Sequence, residues 1–256
     1  MLKARLYSAL STSSVIALLM GNPVSAAVIQ ASANICIDAD CQDVSSQLVY
    51  NQENGTYEIP EAGINISSTD GDQVNLTAGM IDPDPFITYG VSVLDSGAPS
   101  TFGFSFSSPV APTVTAPGVV TASISGSVTE GSGGTVVVTP TAPPAGISQD
   151  GTDNGALPDE IQVFSLSSDG GSNWINAGVD VGTAFTSPNL LVTQSANYPA
   201  TNTPAVAGPA SASPFDFMRL DLNFMLSGGG DIFTVNGALP LTRYLSPQPS
   251  GYSALV

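Results

Sequence analysis

The feature of the sequence that most constrains its fold is an alternation of apolar and polar residues with a period of two. From position 218 to 226 every second residue is apolar, and the residues between them include Arg219, Asp221 and Asn223. Successive side chains of a β-strand point to opposite faces of the sheet. The pattern therefore predicts a long strand with one face in the core and the other, carrying these three polar residues, exposed to solvent.

Turn residues separate most of the other alternating segments. Asn54-Gly55 and Asp70-Gly71 accept the positive φ angles of tight hairpin turns, and Gly228-Gly229-Gly230 follows the long strand and leads into 232–235. We predict four hairpins: 48–50 with 57–59, 64–66 with 74–76, 87–93 with 102–106, and 119–129 with 135–139. Because helical periods with caps are lacking, we predict an all-β fold, an antiparallel β-sandwich of jelly-roll type with long Pro-, Gly- and Ser-rich loops.

The chain divides into an export signal and one domain. Residues 1–26 begin with Lys3 and Arg5, continue through an apolar run and end in small residues at Ala26, which is typical of a cleaved signal peptide. An uncleaved anchor is the alternative, but its apolar run is shorter than a membrane-spanning helix requires. We expect residues 27–256 to form a single β-sandwich with long loops at about 140–158 and 196–214. The alternative for the first of these stretches is a linker between two domains.

The composition excludes several functional classes. The chain has no His, which removes Ser-His-Asp and Cys-His catalysis. Its formal charge of −17 gives almost nothing to bind phosphate, so we expect no nucleic-acid partner and no attraction to anionic lipid. No later segment is long and apolar enough to span a membrane. Extracellular polysaccharide, cations and copies of the chain itself remain as partners.

The two cysteines, Cys36 and Cys41, lie five positions apart. In an exported protein this spacing predicts a local disulfide, and the alternative is a metal site that adds Asp38 or Asp40 to both thiols. A short disulfide loop stabilises the fold only slightly. We therefore expect the bond to hold a turn rather than the whole domain.

Two Asp-rich loops are candidates for calcium, which prefers carboxylate and carbonyl oxygens in flexible loops. The alternative is that their Asp side chains simply bond to turn amides. No cofactor is certain from the sequence, and calcium is the one that these loops favour. The candidate metal ligands are Asp150, Thr152, Asp153 and Asn154 in the first loop and Asp82 and Asp84 in the second.

The segment from Ser167 to Trp174 is similar to the Asp box, Ser-x-Asp-x-Gly-x-Thr-Trp, with Asn173 at the Thr position. In sialidase-like propellers this box is a structural hairpin turn. A propeller needs four or more blades, and the chain has one copy. We therefore expect a hairpin turn here, with Trp174 either packed on it or available to stack on a sugar.

Several turn-and-strand motifs resemble a known group of proteins. They are Ile81 to Phe86, Gly97-Ala98-Pro99 with 102–104, 176–182, and 215–231. Together they are similar to small exported bacterial all-β proteins of the PEP-CTERM sorting-domain type. The resemblance implies a surface or matrix component without assigned chemistry, in cells that make exopolysaccharide. This chain ends after Ser246-Pro247-Gln248-Pro249 without the sorting tail, so we expect a secreted relative that lacks the anchor.

These observations favour a non-enzymatic secreted surface or extracellular-matrix protein. The alternative is a calcium-dependent glycan-binding module. A hydrolase with a carboxylate pair is a third reading, but the adjacent Asp159 and Glu160 would point to opposite faces of a strand. We expect no enzymatic activity.

Overall fold

The computed structural model describes residues 30–115, 118–142, 160–209, 211 and 213–242. The expected signal peptide, 1–26, and most of the expected loop at 140–158 lie outside these residues. Among the described residues there is no α-helix, and only Ser45–Gln47 forms a short 3-10 turn. The all-β prediction is confirmed.

Eighteen strands make up the described fold. In chain order they are β1 (Ser32–Ile37), β2 (Asp40–Asp43), β3 (Val49–Asn51), β4 (Thr56–Glu58), β5 (Ile64–Ser67), β6 (Gln73–Asp82), β7 (Phe86–Asp95), β8 (Ser100–Val114), β9 (Val119–Val120), β10 (Ser123–Thr129), β11 (Val137–Pro140), β12 (Gln162–Ser167), β13 (Ile175–Asn176), β14 (Phe185–Thr186), β15 (Ser195–Asn202), β16 (Val206–Ala207), β17 (Phe215–Leu226) and β18 (Asp231–Thr242).

The strands form two antiparallel sheets. The smaller sheet has the order β13-β12-β17-β8-β1-β2, with β11 and β14 continuing beside β17. The larger sheet has the order β15-β10-β18-β7-β6-β4-β3, with β5 beside β6 and the short β9 and β16 beside β18. The pairings between the described strands are all antiparallel, so the predicted architecture is the one observed.

Apolar residues from the inner faces of both sheets form one core. Phe224 of β17 lies at its centre, with its ring centroid 5.8 Å from that of Phe102 and 5.1 Å from that of Phe233 in the opposite sheet. Tyr89 of the larger sheet donates a hydrogen bond to Gln162 of the smaller one at 2.6 Å. Because large rings and a buried polar link both cross the interface, the relative position of the two sheets is well determined.

Two of the four predicted hairpins are confirmed and two are wrong. β3 pairs with β4 and β5 pairs with β6, as predicted. In contrast, β7 and β8 belong to different sheets, and so do β10 and β11. Turn residues show where a chain reverses, but not whether the next strand continues the same sheet or folds over onto the other.

Three of the connections that pass from one sheet to the other lie together at the same end of the sandwich. They are residues 95–100 between β7 and β8, 130–136 between β10 and β11, and 227–230 between β17 and β18. The last two are rich in Gly, and Gly228, Gly229 and Gly230 all have positive φ. This end, which we call the crossing end, brings together parts of the chain that lie more than 100 residues apart.

The outer face of β17 differs from its prediction. Arg219, Asp221 and Asn223 are 5%, 3% and 3% exposed, so the solvent-exposed face expected for this strand is wrong. β17 is an inner strand between β8 and β12, and Trp174 lies over Arg219. Polar alternation in the sequence cannot distinguish a polar face in water from a polar face that other residues cover.

The expected long loop at 196–214 also differs from the structure. Ser195–Asn202 is a strand, β15, that pairs with β10, and Val206–Ala207 pairs with β9. β15 is the outermost strand of its sheet and tolerates Pro199 because one side of an edge strand needs no backbone donor. An edge strand held by backbone hydrogen bonds does not need alternating side chains. The sequence of β15 lacks a clear alternation, and the strand was therefore not recognised.

Candidate functional site

The Asp box forms a compact turn between β12 and β13. The carboxylate of Asp169 accepts hydrogen bonds from the Ser167 hydroxyl at 2.7 Å and from the Asn173 amide at 2.9 Å. Hydrogen bonds from the side chain and backbone of Asn173, and from Ser167, lower the pKa of Asp169 to about 2. The carboxylate thus acts as an acceptor that closes the turn, as the Asp-box resemblance implies.

Trp174, the predicted sugar contact, is partly buried beside this turn. The guanidinium carbon of Arg219 lies 4.5 Å from the Trp174 ring centroid, and Arg219 Nε donates to Asp221 Oδ2 at 2.7 Å. Arg219 is the only basic residue among those the structure describes. Its charge is shared between a carboxylate and an aromatic ring, so this side of the ring is already occupied.

The predicted calcium ligands fall into two groups. Asp150, Thr152, Asp153 and Asn154 lie outside the described residues. Asp82 and Asp84 end β6 and enter the following turn, where Asp82 Oδ1 accepts the backbone amide of Asp84 at 2.8 Å. No cluster of three or more Cys, Asp or Glu side chains suited to a metal occurs in the described part of the chain. The Asp82–Asp84 loop thus has the geometry of the alternative interpretation, in which an Asp side chain bonds to a turn amide.

The disulfide between Cys36 and Cys41 is present, as predicted. The two residues are directly paired in the register of β1 and β2, and the bond closes a hairpin turn at Asp38 and Ala39. Cys36 is buried, whereas the residues of β2 are all exposed. The bond therefore fastens an exposed acidic edge strand to the buried strand next to it.

The outer face of the larger sheet presents an uncharged polar surface. Cross-strand register places two rows side by side over six strands, β5, β6, β7, β18, β10 and β15. We call these two rows the neutral face. The first row is Asn65, Asn75, Ser92, Thr234, Ser127 and Asn197, and the second is Ser67, Gln73, Leu94, Ile232, Thr129 and Ser195. In a chain with a formal charge of −17, these twelve residues include no acid.

A shallow depression lies on the neutral face. It has a volume of about 260 Å³ and is lined by amide and hydroxyl side chains together with four apolar residues. The polar lining residues are Asn65, Ser67, Gln73, Asn75 and Ser92, and the apolar ones on this face are Leu94 and Ile232. A larger depression of about 430 Å³ adjoins it between the disulfide turn and the β5–β6 turn, with Ile66 and Ser67 common to both.

Four buried acids form a second feature, at the crossing end, which we call the acid row: Asp72, Asp95, Glu130 and Asp231. Asp95 and Asp231 are directly paired in the register of β7 and β18. Asp72 comes one residue before β6 and Glu130 one residue after β10, so the registers of these strands place one acid on either side of the central pair. Every member is at most 3% exposed.

Backbone amides and hydroxyls of the crossing connections bond to the acid row. The Ser100 amide donates to Asp95 at 3.0 Å and its hydroxyl donates to Asp72 at 2.8 Å. The Gly131 amide donates to Asp231 at 3.2 Å, and the Gly133 amide donates to Glu130 at 2.9 Å. One oxygen each of Asp95 and Glu130 is buried without a hydrogen-bond partner.

Burial raises the pKa of the two central members of the acid row, Asp95 and Asp231. It raises the pKa of Asp95 to about 6, an effect that the nearby Asp72 increases and the Ser100 amide opposes. Burial likewise raises the pKa of Asp231, and the neighbouring Glu130 raises it further. Asp95 thus takes up a proton in a range where ordinary carboxyl groups are ionised, and the pKa of Asp231 is shifted in the same direction.

Sequence reasoning missed the acid row and the neutral face. Asp72, Asp95, Glu130 and Asp231 each follow the pattern of an ordinary exposed turn acid, and they span 160 positions. The one signal in the sequence was that each of these acids lies at the end of a strand or directly beside it. Only the register of four strands shows that they meet.

Comparison with known proteins does not identify a family. No family model matches the chain, and no curated protein matches it. Among solved structures, it is similar to the carbohydrate-binding module TmCBM61 in complex with beta-1,4-galactotriose, with 11% identity, a TM-score of 0.24, and coverage of 76% of this chain and 86% of that one. It is also similar to a chain of the infectious bursal disease virus Gx strain, with 14% identity, a TM-score of 0.31, and coverage of 96% and 56%.

Within the described ranges, no helix is long and apolar enough to cross a membrane.

Proposed function

We propose that the protein is an exported, non-enzymatic surface or matrix protein that binds neutral polysaccharide through the neutral face. The export part rests on the sequence of residues 1–26 and is compatible with the Cys36–Cys41 disulfide. The binding part rests on the outer face of the larger sheet. The absence of His from the whole sequence supports a role without His-based catalysis.

The depression on the neutral face is the observation that carries this proposal. Sugars present hydroxyl groups that need both donors and acceptors, together with apolar C–H patches. Amide side chains such as Asn65 and Gln73 supply both hydrogen-bonding functions, and Leu94 and Ile232 supply an apolar surface beside them. An uncharged glycan meets no fixed charge on these rows, whereas a charged ligand would gain no counterion there.

The extent of the neutral face favours a polymer over a single sugar. Six adjacent strands at about 4.8 Å spacing give a width of roughly 24 Å. The repeated rows offer the same kinds of group at each strand. A chain of several sugar units could thus contact the face at more than one point, which raises the overall affinity of individually weak contacts.

The test introduces one charge into the depression. Ser92→Asp places a carboxylate at the centre of the first row, and a bound sugar would have to desolvate it without a counterion. Thr186→Asp is the matched control, because Thr186 is an exposed strand residue of the other sheet. Retardation of the mature chain in native gels containing a neutral polysaccharide, such as a galactan or glucan, measures binding.

We expect the wild type and Thr186→Asp to be retarded equally and Ser92→Asp to bind at least about tenfold more weakly, a difference of about 1.4 kcal/mol. Equal retardation of both variants would place binding elsewhere. Lack of retardation by any neutral polysaccharide would reject the binding part of the proposal.

Calcium dependence stays a prediction from the sequence, since its best candidate ligands, Asp150 to Asn154, lie outside the described residues. The same native gels, run with calcium and with a chelator, test whether binding depends on calcium. Loss of retardation in chelator would support the calcium-dependent module that the sequence leaves as the alternative. Unchanged retardation would remove calcium from the binding step.

A further inference from the structure

We propose that the acid row is a proton-operated latch, closed when the row takes up protons and loosened when it ionises, that holds the crossing end of the sandwich together. This inference is independent of the proposed function, because it concerns four buried acids that do not line the neutral face. It depends on their register, their burial and the segments that bond to them.

The placement of the row makes it a latch between connections. Asp72 and Asp95 both bond to Ser100, the first residue of β8, so they attach the β7–β8 connection to the larger sheet. Asp231 bonds to Gly131 and to the Ser227 hydroxyl, and so joins the other two connections. These three connections between the sheets thus depend on the same carboxyl groups.

The environment of the row favours protons over metal ions. Backbone amides of Ser96, Ser100, Gly131, Ser132 and Gly133 donate to its oxygens, and a cation would have to displace these donors. A proton needs no such rearrangement. It converts a repelling pair of neighbouring carboxylates into a pair that can share a hydrogen bond, and Asp95 and Glu130 each have a buried oxygen without a partner that can take part.

No positive charge of the described residues compensates the row. The acids beside the row are Asp70, two residues before Asp72, and Asp38, whose carboxylate accepts the amide of Thr101, the residue after Ser100, at 2.8 Å. Both of these are acids on exposed turns. Arg219, the one basic residue that the structure describes, bonds to Asp221 on the smaller sheet. Full ionisation therefore places like charges side by side in a buried site.

The sign of the pH effect follows from this arrangement. The pKa of Asp95 is raised to about 6 in the folded state, above its ordinary value of 3.8. The folded state then binds more protons than the unfolded state between these two values, and stability falls as pH rises through this range. Stability from the closed latch is fully present below about pH 4 and is lost by about pH 7, in addition to whatever other groups contribute.

The first experiment uses the wild-type mature chain and needs no variant. Carbon-13 NMR of the side-chain carboxyl groups, recorded from pH 3 to pH 8, follows each acid directly. We expect at least one resonance from the row to titrate near pH 6, together with amide exchange at Ser100 and Gly131 that becomes about tenfold faster between pH 5 and pH 7 after correction for intrinsic rates. Titration of all Asp and Glu carboxyl groups below pH 4.5 would overturn the proposal.

A second experiment assigns the effect to the row. The double variant Asp95→Asn, Glu130→Gln keeps the shape and the acceptor oxygens but cannot ionise at these positions. Thermal melts from pH 5 to pH 7 should show a falling Tm in the wild type and in the control Asp70→Asn, and a much flatter profile in the double variant. An equal slope in all three proteins would contradict a latch at this row. Disappearance of the wild-type slope in millimolar calcium, with Tm raised at pH 7, would instead identify a cation site and overturn the proton account.

Discussion

Asp95 and Asp231 face each other as directly paired residues of β7 and β18, and both are almost completely buried. Two like charges in that position would repel each other at a cost in stability. With the neighbouring Asp72 and Glu130, four carboxylates lie in this buried row. The sandwich tolerates them because turn amides bond to the carboxyl groups and because protonation is available. Three of the connections between the sheets lie at this end of the molecule, so its stability is tied to these acids.

Asp169 should give the opposite pH dependence at lower pH. Its pKa is lowered to about 2, so the stability that its hydrogen bonds provide is present above pH 4 and lost as pH falls towards 2. Trp174 is the single Trp of the chain and adjoins this turn, so its fluorescence reports the change. We expect a transition between pH 4 and pH 2 in the wild type that Asp169→Asn abolishes. A transition that persists in this variant would assign it to other carboxyl groups.

Arg219→Met should strongly destabilise the protein. The substitution leaves the buried Asp221 carboxylate without its cation and removes the contact of the guanidinium with Trp174. Removal of one partner of a buried ion pair typically costs about 3 kcal/mol or more in the free energy of unfolding. Urea denaturation measures this loss in the free energy of unfolding. The double variant Arg219→Met, Asp221→Asn should recover part of the loss, and no recovery would mean that Asp221 ionisation is not the cause.

Removal of the disulfide should have only a local effect. In the loop-closure model, a bond between residues five positions apart contributes about 2 kcal/mol. Replacement of Cys36 and Cys41 by Ala should therefore lower stability by about this amount while the β1–β8 pairing persists. Hydrogen exchange distinguishes a local effect from a sheet-wide one. We expect faster exchange in β2 alone, whereas faster exchange throughout β1 and β8 would show that the bond supports the whole sheet.

Gly228→Ala should destabilise the crossing end more than a comparable substitution elsewhere. Gly228 has a φ of +85°, and an added Cβ would lie against backbone atoms of Gly97, Ala98 and Pro99. Gly170 has a φ of +74° with no atom near its missing Cβ. Gly170→Ala should therefore cost only the conformational penalty of about 1 kcal/mol, and Gly228→Ala at least about 1 kcal/mol more. Equal losses in thermal melts would mean that the crowding at Gly228 relaxes easily.

The comparison of sequence with structure shows what local pattern can predict. The alternation around Leu222 and around Phe104 predicted β17 and β8 correctly, because period two follows from strand geometry alone. The Asn54-Gly55 and Asp70-Gly71 turns predicted two hairpins correctly, because their φ angles are local as well. The spacing of Cys36 and Cys41 predicted the disulfide for the same reason.

Predictions that depended on the partner of a strand were wrong. The turn after Asp95 leads to the other sheet rather than to a hairpin, since a reversal of direction is compatible with both. Arg219 was expected in water and is buried, because burial depends on what covers a face. β15 was expected as loop, because an edge strand held by its backbone does not require alternating side chains.

The sequence by itself determined that this protein is built of strands, that many of its acids lie at or beside turns and that its cysteines close a short loop, because each of these is set by the geometry of neighbouring residues. Only the tertiary structure decided which strands lie side by side, and with them the neutral face and the acid row. Asp72 and Asp231 are 159 positions apart, and they belong to one site because four strands share one register. Register is selected by the packing of the whole core, which no local segment contains.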